Sequence, residues 1–350
     1  MATIGMFHYR KDPEKVRRSY SYASHAKMEG IEFFYFCSKR VDFDNQIING
    51  LTYKNGVWIE KEYSFPDVII NPVGPLSKNK KQTEIYLKLK ELIPFTSFPV
   101  GTKLSVYNRL KNGKEFTKHL IPYEKIKKPV DVLTFLNKYN KIIVKPISGH
   151  HGNKVLYIEK LDHFFKVIEN EQTQNIDRIE LYDYLSKLLK EQKMLMQKYI
   201  ECRRKTGEPY DIRLHIQKGG EGKWQNTSVY PKIGLRDKIT SNLGQGGQMT
   251  SVKKFLYKEF GEEYFNIKRY LEVFAIQFAD HFDTLYDHSF DELGIDVGID
   301  SDHNIWIYEI NWRPGHLYLE EKASKLAVSY ANYIAKNHSR KEDTHENDRS

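Results

Sequence analysis

Leu293-Gly294-Ile295-Asp296-Val297-Gly298-Ile299-Asp300, followed by Asn304-Ile305-Trp306-Ile307-Tyr308-Glu309-Ile310-Asn311, is the stretch on which the fold turns. Both segments are apolar runs with acids set into them, and Ser301 to His303 between them is short enough for a turn. Strand side chains alternate between faces. Glu309 and Asn311 therefore point one way and Ile310 the other, into a core. If the strands pair, Asp296 falls beside Glu309 and Asn311. Two carboxylates and an amide oxygen on one surface are hard donors of the kind that hold Mg2+ alongside water and phosphate. A solvated charged face and a structural ion-pair network are the other readings of these residues. The apolar neighbours Ile305, Trp306, Ile307 and Ile310 weaken the first of those two. Asn311-Trp312-Arg313-Pro314-Gly315 then ends the strand and aims a loop.

Working outward, Lys141-Ile142-Ile143-Val144-Lys145-Pro146 reads as a strand that enters the loop Ser148-Gly149-His150-His151-Gly152-Asn153, and Val155 to Ile158 returns from it. Lys145 offers a point charge to phosphates, and Gly149 and Gly152 would let backbone N–H groups approach their oxygens. An ordinary glycine hairpin with a solvated lysine is the competing reading. Strand-loop-strand is not the strand-loop-helix context of a P-loop. Asp211 and Arg213 share a face of an alternating strand, as phosphate or carboxylate holders or as a surface ion pair. Lys232, Arg236 and the glycine-rich run from Thr240 through Asn242 to Gly247 supply a second polar loop.

The remaining pattern is α+β. Strands at Thr3–Phe7, Glu32–Phe36 and Pro66–Ile70, a helix at Glu14–Lys27 and a hairpin turning at Lys54-Asn55-Gly56 make a small α/β unit over residues 1–95. Residues 96–140 read as a linker and the entry to a small lobe, with a turn at Lys111-Asn112-Gly113-Lys114. Helices are expected at Ile179–Lys190, Glu263–Tyr286 and Lys322–Lys336, with strands at Met194–Ile200, Asp211–Ile216 and Trp224–Tyr230. Residues 337–350 are charged and almost free of apolar side chains, which predicts a disordered tail.

A 40% hydrophobic and 29% charged composition is that of a globular protein. The net charge of +9 is scattered in short pairs, and no arginine-rich arm or zinc-finger spacing occurs, which argues against nucleic acid as the main partner. No apolar run reaches the roughly 20 residues of a membrane span. Cys37 and Cys202 make neither a disulfide framework nor a metal set, and the first nine residues are too short for a signal peptide. These features point to the cytoplasm, with later attachment to a larger assembly left open. The absence of a Gly-x-Ser-x-Gly elbow and of paired helical histidines argues against serine and zinc hydrolases.

Taken in order, Val144-Lys145-Pro146, Gly149-His150-His151-Gly152, Met196 to Ile200, Asp211-Ile212-Arg213, Asn242 to Gly247, Gly294 to Gly298 and Glu309 to Gly315 resemble the ATP-grasp superfamily. More narrowly, the chain is similar to the YheC/YheD endospore coat-associated proteins, with a second similarity to the ribosomal-protein glutamate ligases. The resemblance spans roughly residues 100–335. It implies two α+β lobes closing on a nucleotide: a small lobe at 96–200 and a large one at 201–336, with 1–95 as the domain that precedes them. It implies ATP and Mg2+ as cofactors. Lys145 would contact the phosphates, and Gly149, His150 and Gly152 would cover them. Gln197, Lys198, Tyr199 and Ile200 would read adenine through the backbone, and Glu201 would reach the ribose. Asp296, Glu309 and Asn311 would ligate Mg2+. Arg213 would steady the transferred phosphoryl group, and Asn242 would line the acceptor region. His150 stands where relatives carry serine, and Arg109, within Asn108-Arg109-Leu110-Lys111, stands for an earlier nucleotide-contacting lysine. The implied reaction is carboxylate–amine ligation through an acyl phosphate on small-molecule or peptide substrates. A coat structural protein with spore-coat partners, and a small-molecule kinase, are the alternatives. The sequence sets no oligomeric state.

Overall fold

The computed structural model describes residues 1–72, 79–148, 155–169, 172–236, 238–239, 241, 246–316 and 319–347, without the side chains of 339–347. Gly149, His150, Gly152 and Asn242 lie outside the described residues.

The N-terminal unit runs β1 (Thr3–Phe7), α1 (Arg17–Met28), β2 (Glu32–Phe36), β3 (Val41–Asp42), β4 (Ile47–Lys54), β5 (Val57–Ser64), β6 (Val68–Ile70) and α2 (Lys80–Leu92). Its sheet order is β3-β4-β2-β1-β6, with β5 on β4. β1 lies parallel to both β2 and β6. A central parallel strand is buried on both faces, which is why Ile4 to Phe7 reads as an unbroken apolar run. The hairpin closes with Lys54 opposite Val57, as Asn55-Gly56 predicted.

The segment after this unit is not a linker. Helix α3 (Lys103–Gly113) starts at Thr102, whose side chain accepts from the Ser105 N–H, so Lys111 to Gly113 form its last turn. The small lobe follows as β7 (Tyr123–Lys125), α4 (Pro129–Tyr139), β8 (Lys141–Pro146), β9 (Leu156–Lys160), β10 (Phe165–Glu169), β11 (Gln172–Ile176), α5 (Arg178–Glu191) and β12 (Met194–Lys198). Its sheet order is β11-β10-β9-β8-β12-β7. Its core draws on residues from Ile126 to Met196. Val106, Tyr107 and Leu110 of α3 are instead buried with the large-lobe core, while the Lys103 N–H donates to the Ile147 carbonyl and Tyr107 packs on Tyr123 of β7, so α3 bridges the two lobes.

The large lobe comprises β13 (Tyr210–Lys218), β14 (Trp224–Ile233), β15 (Gln248–Met249), α6 (Val252–Phe260), α7 (Tyr264–Asp283), β16 (Glu292–Ile299) and β17 (Ile305–Asn311), ordered β15-β14-β13-β16-β17. The apolar face of α7, with Leu271, Phe274, Phe278 and Phe282, covers this sheet. Helix α8 (Glu320–Asn347) closes the chain. It runs through most of the stretch assigned from composition to a disordered tail. Its packed first turns supply the nucleus, and the Lys, Arg and Glu residues that follow are good helix formers. Val328, Ala331 and Ala335 of α8 are buried in the N-terminal core beside Ile4, Met6 and Tyr22. No helix among the described residues is long and apolar enough to cross a membrane.

Candidate active site

Register gathers the charged side chains. Lys232 on β14 pairs with Asp211 on β13, Arg213 on β13 with Asp296 on β16, and Asp296 with Glu309 on β17. Residues opposite each other in a sheet share a face, so these pairings draw one row of ionisable groups across the large lobe. Asn311, opposite Gly294, extends it. A bulge leaves Tyr308 as the extra residue between Ile307 and Glu309. Its carbonyl accepts from the Tyr107 hydroxyl and, at 3.4 Å, from Lys145 Nζ. The bulge thereby joins β17 to α3 and to Lys145 of the opposite lobe.

These groups line one cleft of about 630 Å3 between the lobes. Arg213 closes the edge formed by Nε and Nη2 on both oxygens of Asp296, with Nη2 at 2.9 Å from Oδ2. Lys232 Nζ lies 2.8 Å from Asp211 and 3.1 Å from Asp296. The Ser241 hydroxyl donates to Asp211, and the Asn311 amide donates to Asp296 at 3.5 Å. Lys103 Nζ is 3.0 Å from Glu309. Asp296 is 6% exposed, so this is not a solvated charged face. An ion-pair network is present and engages Asp296 with Arg213 and Lys232 and Glu309 with Lys103; Asp296, Glu309 and Asn311 stand on adjoining strands. That donor set fits a hard divalent cation such as Mg2+.

Charge is set differently on the two walls. Burial opposes ionisation of Asp296, but Arg213 and Lys232 outweigh it and hold the carboxyl below its ordinary range. Burial also opposes the charge on Arg213 and Lys232, and their carboxylate partners outweigh it, raising both. Asp211 is pushed up to about 6, mainly by burial. Across the cleft, burial lowers Lys145 to about 8, countered only in part by Glu309.

Gln197, Lys198, Tyr199 and Ile200 line the cleft. The Lys198 and Tyr199 N–H groups already donate to Pro122 and Lys141 carbonyls, so within Lys198–Ile200 only the Ile200 N–H stands outside these bonds. Glu201 is exposed and is not among the lining residues. Arg109 is elsewhere. Its guanidinium donates to the Leu285 carbonyl at 2.7 Å and lies over the Tyr286 ring. Lys103, at the start of the same helix, is the cation that reaches the cleft. A lysine at a helix N-terminus opposes the macrodipole, and Glu309 offsets that charge. The cue was Thr102 as a cap; Lys103, Tyr107 and the inward position of Lys232 were not read from the sequence.

His215, Glu292 and His316 form a separate buried cluster with ligand atoms within 4.8 Å of one another. Both Nε2 atoms meet one Glu292 oxygen, at 2.7 and 2.5 Å. A metal-bound imidazole passes its other N–H to an acceptor, and neither Nδ1 has a partner among the described residues. Hydrogen bonds to a shared carboxylate account for this cluster without an ion.

Residues 92–335 match the family described as YheC/D like ATP-grasp. The chain belongs to that family. It has the fold of an ATP-grasp enzyme, two α+β lobes enclosing a cleft. This ATP-grasp chain is 25% identical over 325 residues to the endospore coat-associated protein YheD of Bacillus subtilis (strain 168), covering 86% of this chain and 70% of that protein. Among solved structures it resembles a Chryseobacterium gregarium RiPP-associated ATP-grasp ligase in complex with ADP and a leader and core peptide. The TM-score is 0.54 at 14% identity, over 95% of this chain and 96% of that one. It also resembles the ATP-grasp ligase PsnB complexed with minimal precursor, Mg and ADP, with TM-score 0.54 and 11% identity over 95% and 98%.

Proposed function

We propose that this chain is an ATP- and Mg2+-dependent carboxylate–amine ligase that works through an acyl phosphate on an amino acid or peptide. One observation carries the reading. Lys145 and Lys103 stand with the oxygen set Asp296, Glu309 and Asn311 in a single cleft whose lining, among the described residues, has six cations (Lys103, Lys145, Lys198, Arg213, Lys232, Arg313) against three carboxylates (Asp211, Asp296, Glu309). That excess suits a polyphosphate. The relatives solved with ADP, with Mg and with peptides support it.

Asp296, Glu309 and Asn311 would hold Mg2+, which when bound neutralises charge on the terminal phosphates. Lys145 holds the phosphate tail from the small lobe. Gln197 to Ile200 form the edge for the base. Gly149, His150 and Gly152 cover the phosphates, and Asn242 lines the acceptor side. Arg213 spends Nε and Nη2 on Asp296, and its Nη1 is the nitrogen that meets the transferred group. A substrate carboxylate oxygen bonds to the γ-phosphorus as the bond to the bridging oxygen breaks, releasing ADP. An amine then bonds to the acyl carbon, phosphate leaves, and the amine proton goes to solvent. No protein nucleophile is needed, so the chain's part is positioning and electrostatics. Closure of the lobes protects the acyl phosphate from water.

The test is ADP release from pure protein with ATP and Mg2+ under mixed acid and amine pools. Release that needs acid, amine and metal together, and is lost in Glu309→Ala, upholds the reading. Release with no dependence on either pool sinks it, and a stable phosphorylated product in its place means a kinase. The likeness to YheD carries one further reading, a place at the endospore coat with coat proteins as partners. Fractionation of sporulating cells decides it, and recovery of the chain from the soluble cytoplasm alone rejects it.

A further inference from the structure

Two arginines line the cleft among the described residues, and they differ in one respect. Arg213 closes its Nε and Nη2 edge on a carboxylate. The same edge of Arg313 has no partner. Its Nε and Nη2 are shielded from bulk water and make no hydrogen bond among the described residues. The neighbouring acids are engaged elsewhere. Asp291 accepts from the Ser97 hydroxyl at 2.5 Å, and Glu292 is taken by His215 and His316. Burial lowers Arg313 to about 10, which leaves it cationic at neutral pH. The group stacks 3.7 Å from the centroid of the Trp312 ring. Asp291 and Glu292 feel its charge but neither hydrogen-bonds to it; a shielded guanidinium with no bonded carboxylate is costly to a fold, and the unpaired edge is the one that matches a carboxylate in two parallel hydrogen bonds.

Its place narrows the occupant. Arg313 follows Asn311 by two residues, just past the end of β17. The groups that feel its charge include His8, Tyr22 and Tyr86 of the N-terminal unit. Next to it, the carbonyl of the cleft-lining Pro314 accepts from Arg18 of that unit at 3.5 Å.

We propose that Arg313 receives a second, non-reacting carboxylate of the substrate, so that the acid this enzyme activates is a dicarboxylate, an acidic amino acid or a peptide carrying one. This rests on the ligase reading above. The reacting carboxylate sits by Arg213 and the oxygen set, and the other is gripped by Arg313. No hydrogen bond among the described residues holds the guanidinium, so turning it toward the incoming anion breaks none.

The experiment uses the full chain with ADP and Mg2+. Glutarate, adipate and N-acetylglutamate are each titrated against their monoamides, with inorganic phosphate alongside, and thermal protection is read. At least one diacid is expected to protect at about tenfold lower concentration than its monoamide. Arg313→Gln should abolish that preference, and Arg313→Lys should keep only part of it, since lysine lacks the fork. Arg313→Gln should also melt no lower than wild type, a result a purely structural arginine would not give. No diacid preference, or a preference that survives in Arg313→Gln, overturns the proposal. So does Arg313-dependent protection by phosphate alone, which would give the fork to a phosphate. If Arg313→Gln does not fold, the wild-type preference and the lysine variant decide. Failure of the wild type to bind ADP sinks the ligase reading, whereas ADP binding without diacid preference sinks only this one.

Discussion

The two walls of the cleft handle charge in opposite ways. On the large lobe, Asp211, Arg213, Lys232 and Asp296 are tied into cross-strand pairs that balance one another before any ligand arrives. On the small lobe, the half-buried Lys145 has only a tyrosine hydroxyl and a carbonyl at 3.4 Å, and it has no ion pair among the described residues. The first wall is built in advance. The second is left in deficit, to be balanced by an anion that comes from outside.

The largest effect that could break this contrast is on stability. Asp296→Ala strands Arg213 and Lys232 together in a buried place and should cost about 3–5 kcal/mol, read as the urea midpoint. Lys145→Met removes a charge that Glu309 balances only in part and no carboxylate pairs with directly, and should leave that midpoint unchanged or higher. Equal losses in both variants would erase the distinction between the walls. On activity, Glu309→Ala should cut ADP formation about 10²–10³-fold, the scale of several kcal/mol of metal-borne stabilisation, while the fold melts normally.

A subtler consequence is pH dependence. Among the described residues lining the cleft, burial pushes Asp211 up to about 6, Arg313 down to about 10 and Lys145 down to about 8, so Lys145 is the one of these three that changes charge between pH 7 and 9. A bound phosphate favours the protonated lysine and raises its pKa, so nucleotide binding takes up a proton near pH 8. Affinity should fall about threefold from pH 7.5 to 8.5. Calorimetry in buffers of different ionisation enthalpy checks both, and Lys145→Met should flatten the profile. The smallest expected effect sharpens the placement of the earlier cation. Arg109→Ala should change nucleotide affinity by less than about twofold, whereas Lys103→Ala should lower it about tenfold, the scale of one charge-assisted contact.

What could be read from the sequence follows from locality. Asp296, Glu309, Asn311 and Arg213 lie on strands whose two-residue period is visible in a few residues, and the register that joins them follows from one hairpin and its neighbour. The hairpin 141–158, the long amphipathic helix and the N-terminal strands were legible for the same reason. Helix α3 was not. Its buried Val106, Tyr107 and Leu110 sit among lysines and polar residues, and the face they cover belongs to a sheet formed a hundred residues later. Choosing Arg109 over Lys103 was a consequence, because a helix that is not recognised cannot show which of its ends meets a cleft. Strand β11, Gln172–Ile176, is polar and mostly exposed, held by a single partner at the sheet edge, and it carries almost no apolar signal.

The return of α8 to the N-terminal core also bears on how this molecule can be taken apart. Cutting after residue 95 would expose Val328, Ala331 and Ala335 on one fragment and leave Ile4, Met6 and Tyr22 uncovered on the other. The first and last portions of the chain therefore share one core, and α8 also binds the large lobe through Ala323 and Lys322. Fragments meant to isolate that core must carry both portions, joined across the gap.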